Sequence, residues 1–427
     1  MSMKAYKSRI CDSILQGELA GAGAVLIEGA KWCGKTTTAE QAAKSAIYID
    51  ETGKMEENII LARTKPERIL SGEYPRLIDE WQLAPAIWDS VRYNVDHMDA
   101  PGRYILTGSA VPADDEEIRH SGAGRFSWLK MRPMTLWESC ESSGEASLSA
   151  LFAGEDVTGA KSSCSDLEDV AFLLCRGGWP YACDLSGKVA LKRAFSYVDA
   201  TVKRDISRVD KVNRDEGRAR RIMRSYARLQ ATQAAYSVIK ADVEANDARP
   251  CSVDTIVSYV SALKKLFVIE DMPAWCPNLR CKTPIRTSDT RYFVDPSIAV
   301  ASLGLGPEDL MNDLKTYGLL FETMAVRDLR VYMDALSGSV AHYLDAAGLE
   351  CDAVLHLRNG HYALVEVKLG GKELIEKGVA TLNRLSAKID DGKMKKPSFL
   401  MVLTAVGDFA YRREDGIIVC PIGALRP

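Results

Sequence analysis

The segment GAKWCGKT, residues 29–36, has the residue types and the spacing of a phosphate-binding loop. It fits the pattern G-x-x-x-x-G-K-[ST] and lies between a short apolar run and a helical pattern. Gly29 and Gly34 let the backbone wrap closely around a phosphate with its N–H groups directed inward. Lys35 is expected to reach the β- and γ-phosphates, and Thr36 to place its hydroxyl on Mg²⁺. The segment therefore predicts a site for ATP and Mg²⁺.

A second set of polar residues follows the apolar run in PRLIDEWQ, residues 75–82. Here Asp79 is expected to bind Mg²⁺, and Glu80 to polarise the attacking water. The run YILTGS likewise ends in polar residues, so Thr107 or Ser109 is expected to contact the γ-phosphate or the water. Phosphoryl transfer needs these parts together with the loop, which favours a nucleotide hydrolase. The remaining residues expected to line the nucleotide are Lys31, Cys33 and Thr37.

Arg125 lies in SGAGRFSWLK, which we interpret as a Gly-rich loop beyond the sheet. An arginine in such a loop is expected to act as an arginine finger, on the nucleotide of its own chain or of a neighbouring subunit. The alternative is a solvated or structural role. The sequence leaves both open.

The carboxyl-terminal stretch ECDAVLHLRNGHYALVEVK, residues 350–368, places a carboxylate pair and a lysine on two apolar runs joined by an Asn-Gly turn. Side chains alternate along a strand, so Glu366 and Lys368 share one face, and the turn folds that strand back toward Asp352. Two carboxylates are suited to hold Mg²⁺, while the lysine orients or deprotonates a water. The alternative is a charged hairpin that serves DNA binding or hydrogen bonding alone.

The order of apolar runs and helical patterns predicts how these residues are positioned. Four apolar runs alternate with helical patterns near the amino terminus, which is typical of a parallel α/β sheet, with MTLWESC (134–140) as its exit. A Ser- and Gly-rich segment follows, and then helices that lead into a short strand, as in a winged helix or a plain helical bundle. The predicted domains are a P-loop domain over 1–142, a linker over 143–166, a helical region over 167–285 and a mixed α/β domain over 286–427.

Composition limits the class of protein. The chain of 427 residues has a formal net charge of −3, so any contact with DNA must come from a local patch. We find neither a secretory signal nor a run of about 18 apolar residues that would span a bilayer, so we expect a cytoplasmic protein that is not in a membrane. The eleven cysteines form no CxxC pair, which disfavours structural zinc.

Motifs along nearly the whole chain resemble those of a known family. In order, they include EGAKWCGKTT, RLIDEWQLAP, GAGRF, RGGWPYA, VKRDI, RYFVDPSIA, GLLFETMAVRDL and ECDAV with LVEVK. Such motifs are similar to those of prokaryotic proteins that join an AAA-type ATPase domain to a carboxyl-terminal DUF4143 domain. The chain departs from the usual pattern at Lys31 and Trp32, where Arg and Gln are common, and at Leu344, where Arg is common.

The resemblance implies an α/β protein with an amino-terminal P-loop NTPase parallel sheet of AAA-like type, a middle winged-helix segment and a carboxyl-terminal mixed α/β domain like restriction endonucleases. In folds like restriction endonucleases, an acidic residue on the first helix contributes to the metal site. The matching residue in this chain is Glu322. The expected function is a Mg-dependent ATPase coupled to binding or cleavage of DNA. The alternative is a nucleotide-gated switch or scaffold whose inactive nuclease-like domain recognises a protein or nucleic-acid partner, and a weaker one is a small-molecule kinase. The partners considered are ATP, DNA and a second copy of the chain.

Overall fold

Two large sheets organise the described part of the chain, each in its own structural unit. The computed structural model describes residues 6–98, 100–110, 118, 120–245, 249–276, 288–389 and 394–427. The first unit comprises Met1–Pro133, Thr201–Asp215 and Tyr259–Val268, and the second Met134–Ala200, Glu216–Ser258 and Ile269–Pro427. The units are interleaved along the sequence, whereas the predicted domains are consecutive segments, and the predicted boundaries stay predictions.

The strands and helices are numbered along the chain. The strands are β1 (Ala24–Glu28), β2 (Ser45–Tyr48), β3 (Arg76–Asp79), β4 (Tyr104–Gly108), β5 (Phe126–Lys130), β6 (Ala146–Ser147), β7 (Gly338–Leu344), β8 (Glu350–Leu357), β9 (Tyr362–Lys368), β10 (Leu400–Thr404), β11 (Tyr411–Arg412), β12 (Ile418–Pro421) and β13 (Leu425–Arg426). The α-helices are α1 (Ile10–Gly21), α2 (Lys35–Ala42), α3 (Met55–Thr64), α4 (Pro66–Leu70), α5 (Ile87–His97), α6 (Leu148–Phe152), α7 (Leu167–Arg176), α8 (Pro180–Cys183), α9 (Gly187–Ala200), α10 (Ile206–Arg208), α11 (Glu216–Arg228), α12 (Tyr236–Glu244), α13 (Val253–Lys265), α14 (Pro296–Leu303), α15 (Pro307–Asn312), α16 (Leu314–Ala335) and α17 (Lys372–Lys388). A π-helical turn, Thr201–Asp205, lies between α9 and α10.

The first unit contains a parallel five-stranded sheet in the order β2-β3-β4-β1-β5. Its strands β1 and β4 are mostly apolar and almost fully buried, because helices cover both faces of such a sheet. β4 lies between β1 and β3, so the residues that end these three strands meet at one edge of the sheet. This edge carries the phosphate-binding loop after β1, Asp79 at the end of β3 and Thr107 in β4.

The structure corrects one part of the sequence interpretation. The segment expected to form a Gly-rich loop contains β5, which pairs with β1, while MTLWESC, expected as the exit of the sheet, forms turns. β5 is an edge strand, with Phe126 and Leu129 buried and Trp128 50% exposed. The alternation of buried and exposed side chains is hard to recognise in a strand of five residues. The two glycines just before the strand also favour the prediction of a loop.

In the second unit, a six-stranded mixed sheet has the order β11-β12-β10-β9-β8-β7. β7, β8 and β9 form an antiparallel meander, and α17 connects β9 to the parallel strand β10. The long helix α16 precedes β7 and begins where the Asp313 side chain accepts a hydrogen bond from the Thr316 N–H. A two-stranded sheet pairs β6 with β13, so part of the predicted linker is ordered against the carboxyl terminus.

The middle of the chain is helical, as predicted. After α13, antiparallel bridges join Ile269 to Phe293 and Met272 to Thr290, and residues 277–287 lie outside the described residues. The winged-helix assignment stays a prediction. The helices within the described ranges are too short or too polar to traverse a lipid bilayer.

Candidate functional site

The loop at residues 29–36 connects β1 to α2, as the motif predicts. Gly29 has φ +156°, and a Cβ on it would lie 2.0 Å from the Met131 carbonyl oxygen, so a side chain does not fit there. Gly34 has φ +103° and directly precedes α2. The free N–H groups of the first turn of α2 therefore face the loop, where they favour an anion.

Lys35, Thr36, Asp79 and Thr107 meet at the carboxyl edge of the sheet. The buried Lys35 ammonium donates to the carbonyl oxygens of Gly29 and of the next residue, Ala30, both at 2.9 Å. Asp79 Oδ1 accepts hydrogen bonds from the hydroxyls of Thr36, at 2.8 Å, and of Thr107. The structure thus brings together these residues, which lie far apart in the sequence.

Glu80 lies beside this group in a constrained conformation. Its φ of +54° is in the left-handed region, which is uncommon for a residue with a side chain and is often found at functional sites. Its Oε2 accepts hydrogen bonds from Ser109, at 3.1 Å, and from Gln82. Burial raises the pKa of the Glu80 carboxyl, and Lys35 opposes this rise. The carboxylate is therefore held in place, with a pKa shifted toward that of a useful base.

The oxygen atoms at this edge suit Mg²⁺. The Thr36 hydroxyl and the Asp79 carboxylate are hard oxygen ligands, the kind that Mg²⁺ prefers, and they are already adjacent. The hydrogen-bond partners of Asp79 are neutral hydroxyls, so its charge is available to a cation. Burial raises the pKa of Asp79, and a bound cation would favour its ionised form.

Other parts of the first unit hold the loop. The Lys31 ammonium pairs with Asp205 Oδ1 at 2.7 Å, and Arg9 Nη1 donates to the Cys33 carbonyl at 2.8 Å. The Cys33 thiol is buried against the Met131 carbonyl at 3.5 Å, whereas Thr37 is exposed. Sequence reasoning missed the contributions of Arg9, Gln82 and Asp205. The acidic residue in VKRDI was the one available signal for Asp205.

Arg125 is not brought to the loop of its own chain. It directly precedes β5, whose first residue, Phe126, is paired with Ala24 at the amino end of β1. The phosphate-binding loop begins beyond Glu28, at the opposite end of the same strand. Arg125 instead forms an ion pair with Asp96 at 2.7 Å. A role on the nucleotide of a neighbouring subunit stays a prediction.

The second unit brings together the carboxyl-terminal set. Lys368 Nζ lies 2.9 Å from Asp352 Oδ2 and 2.7 Å from Glu366 Oε2. Asp352 Oδ2 also accepts the Val367 N–H at 2.7 Å. The Asn-Gly turn is formed as predicted, with Gly360 at φ +82°. The lysine thus contacts both carboxyl groups.

Burial dominates the electrostatics of this cluster. Burial and the neighbouring Asp352 raise the pKa of Glu366 to about 8, and Glu366 Oε1 is buried without a hydrogen-bond partner. Burial and Asp352 also raise the pKa of Glu322, whose Oε1 accepts the Tyr292 hydroxyl at 2.5 Å. The two carboxylates raise the pKa of Lys368 against its burial. Charge is therefore compensated within the cluster.

Among the described residues, no group of three or more His, Cys, Asp and Glu side chains is arranged to hold a metal ion. At the sheet edge of the first unit, the oxygens of Thr36 and Asp79 still fit Mg²⁺ shared with a phosphate. In the second unit, the ammonium of Lys368 contacts both Asp352 and Glu366. A cation at that pair would have to compete with this ammonium.

Three segments of the chain match known domain families. Residues 22–140 match an AAA domain, residues 167–309 match a domain of unknown function (DUF8612), and residues 317–425 match a domain of unknown function (DUF4143). A solved structure, the Walker-type ATPase of Pyrococcus abyssi, is similar at 14% identity with a TM-score of 0.41, over 68% of this chain and 94% of that one. No protein of the curated set matches.

The parallel sheet, the phosphate-binding loop after β1 and the acidic pair at the end of β3 define a P-loop protein of the NTPase type. The motifs predicted an amino-terminal AAA-type domain and a carboxyl-terminal DUF4143 domain, and the matches over 22–140 and 317–425 confirm both.

Proposed function

We propose that the protein is a Mg-dependent ATPase. The observation that carries this proposal is the convergence of Lys35, Thr36, Asp79 and Thr107 at one edge of the parallel sheet. In this proposal Lys35 leaves the loop carbonyls and binds the β- and γ-phosphates, while Thr36 and Asp79 hold Mg²⁺. Bound Mg²⁺ would neutralise charge on the phosphates during transfer.

Glu80 is the proposed general base for the attacking water. Ser109 and Gln82 fix its carboxylate through two hydrogen bonds to one oxygen, which leaves the other oxygen for the water. Thr107 holds Asp79 in place from β4. A base positioned in this way contributes roughly 10²–10⁴-fold to a rate. These roles favour hydrolysis over transfer to a second hydroxyl substrate, as in a small-molecule kinase.

The test is steady-state phosphate release from ATP with and without Mg²⁺, in the wild type and in Lys35→Ala. We expect Mg-dependent turnover that the substitution abolishes, because the loop then lacks its phosphate-binding cation. Lys377→Ala is a matched control, since it removes an exposed lysine from an ion pair on α17. Normal turnover in Lys35→Ala would reject the proposed site.

For the second unit, we propose a domain like restriction endonucleases that binds DNA. The supporting observation is that α16, the meander β7–β9, α17 and β10 gather Glu322, Asp352, Glu366 and Lys368 into one cluster. The contacts of Lys368 with both carboxyl groups occupy the place where a metal ion would bind, which favours recognition without cleavage. Mg²⁺- or Mn²⁺-dependent nicking of plasmid DNA that Asp352→Ala removes would establish cleavage instead.

A further inference from the structure

The phosphate-binding loop contains a backbone conformation that needs external support. Trp32 has φ +66°, a left-handed value that is costly for a large aromatic residue, and its side chain is 53% exposed. Burial of this side chain therefore does not fix the conformation. Such a conformation persists when its surroundings hold the flanking residues.

Contacts on both sides of Trp32 provide that support. On the carboxyl side, Arg9 Nη1 donates to the Cys33 carbonyl at 2.8 Å. On the amino side, the Lys31 ammonium pairs with Asp205 Oδ1 at 2.7 Å. Lys31 lies within the segment that matches the AAA domain, whereas Asp205 lies within residues 167–309, the segment that matches a domain of unknown function.

Asp205 is well placed to act as the fixed partner of this pair. Its side chain is 13% exposed, while that of Lys31 is 44% exposed, so the carboxylate is the better anchored group. Asp205 ends the π-helical turn Thr201–Asp205. A π-helical turn adds one residue to a helix and so redirects the side chains after it by about 100°, and such turns are frequent at functional sites.

We infer that Asp205 is a positioning residue of the nucleotide site, which holds Lys31 and thereby keeps the phosphate-binding loop in its binding conformation. This inference rests on the proposed ATP site. Under this inference, the segment 167–309 supplies one residue, Asp205, that supports the nucleotide site. A loop that is already in its binding conformation loses less freedom when phosphate binds, so the effect of Asp205 falls on ATP affinity. Lys35, Asp79 and Glu80 keep their own contacts, so the chemical step is little affected.

The experiment measures KM and kcat for Mg-ATP hydrolysis by the full chain in wild type, Asp205→Asn, Asp205→Glu, Lys31→Met and the double variant Lys31→Met with Asp205→Asn. We expect Asp205→Asn to raise KM about fivefold with kcat within about twofold, the size expected for loss of a partly exposed charged hydrogen bond. Asp205→Glu keeps the carboxylate and should recover part of the affinity. The double variant should be no worse than Lys31→Met, because both substitutions break the same pair.

Glu373→Gln is the matched control, because it removes a carboxylate from an exposed ion pair of the same length on α17. Unchanged KM in Asp205→Asn, tighter ATP binding in that variant, or additive effects in the double variant would each overturn the inference. If Asp205→Asn does not fold, as judged by its melting temperature, the exposed Lys31→Met variant carries the test and must show the same rise in KM. Turnover that survives Lys35→Ala would instead reject the proposed ATP site itself, so the two failures are distinguishable.

Discussion

Each unit of this protein places a lysine near two acidic residues, and the two arrangements differ in what the lysine contacts. At the sheet edge of the first unit, Lys35 donates to backbone carbonyls, and Asp79 accepts from neutral hydroxyls. In the second unit, Lys368 contacts Asp352 and Glu366 directly. The first site keeps its charges apart, whereas the second compensates them internally.

This difference indicates which site is prepared for ligands. Separate charges at the first site leave the ammonium for phosphate and the carboxylate for Mg²⁺, since neither has to break an ion pair first. At the second site, a metal ion has to displace an ammonium that is bonded to both carboxylates. The motifs alone do not distinguish these two cases, because both contain suitable residue types at suitable spacing.

The largest expected effect separates Glu80 of the first unit from Glu366 of the second. Glu80→Gln should lower kcat for ATP hydrolysis by at least about 100-fold with ATP binding retained, because the amide cannot accept the proton of the water. Glu366→Gln should leave ATP hydrolysis unchanged. Steady-state kinetics and equilibrium ATP binding of both variants check this contrast, which fails if the two substitutions have similar effects on kcat.

A pH series should reveal the internal compensation at the second site. The raised pKa of Glu366 stabilises the folded chain at low pH, and this contribution is lost as the pH rises from about 4.5 to about 8. The raised pKa of Lys368 keeps its contribution throughout that range. Glu366→Gln does not titrate, so between pH 5 and pH 9 the wild type should lose on the order of 2 kcal/mol of stability relative to this variant.

Denaturant unfolding of the two proteins at pH 5, 7 and 9 measures this difference. Titrating groups far from this cluster affect both proteins equally, so they cancel in the comparison. A difference in the free energy of unfolding that does not change with pH would mean that Glu366 has an ordinary pKa.

A smaller effect should separate the two aspartates. Asp352→Asn removes one partner of the ion pair with Lys368, which leaves the ammonium less well compensated. Asp79→Asn removes a carboxylate whose hydrogen-bond donors are neutral hydroxyls and whose ionised form is disfavoured by burial. We therefore expect Asp352→Asn to lower the free energy of unfolding by about 1 kcal/mol more than Asp79→Asn. Urea unfolding at pH 7 measures both, and an equal or larger loss in Asp79→Asn would contradict the account.

Local sequence signals predicted much of this structure. The phosphate-binding loop and the strand ending at Asp79 follow from short motifs, and the Asn-Gly turn predicted how Asp352 and Glu366 approach each other. The contacts of Arg9 and Asp205 with the loop were not predicted, because they join residues far apart in sequence and leave no spacing rule. The pairing of β6 with β13 was missed for the same reason, since each strand has two residues. Arg125 was placed beyond the sheet because β5 was taken for a loop.

The central claim is that nucleotide and metal bind where charges are kept apart. A crystal structure of the protein with a non-hydrolysable ATP analogue and Mn²⁺, with anomalous scattering to locate the metal, tests it most directly. The account predicts Mn²⁺ on Thr36 and Asp79, with Lys35 on the phosphates. Mn²⁺ bound between Asp352 and Glu366, with none at Asp79, would contradict it.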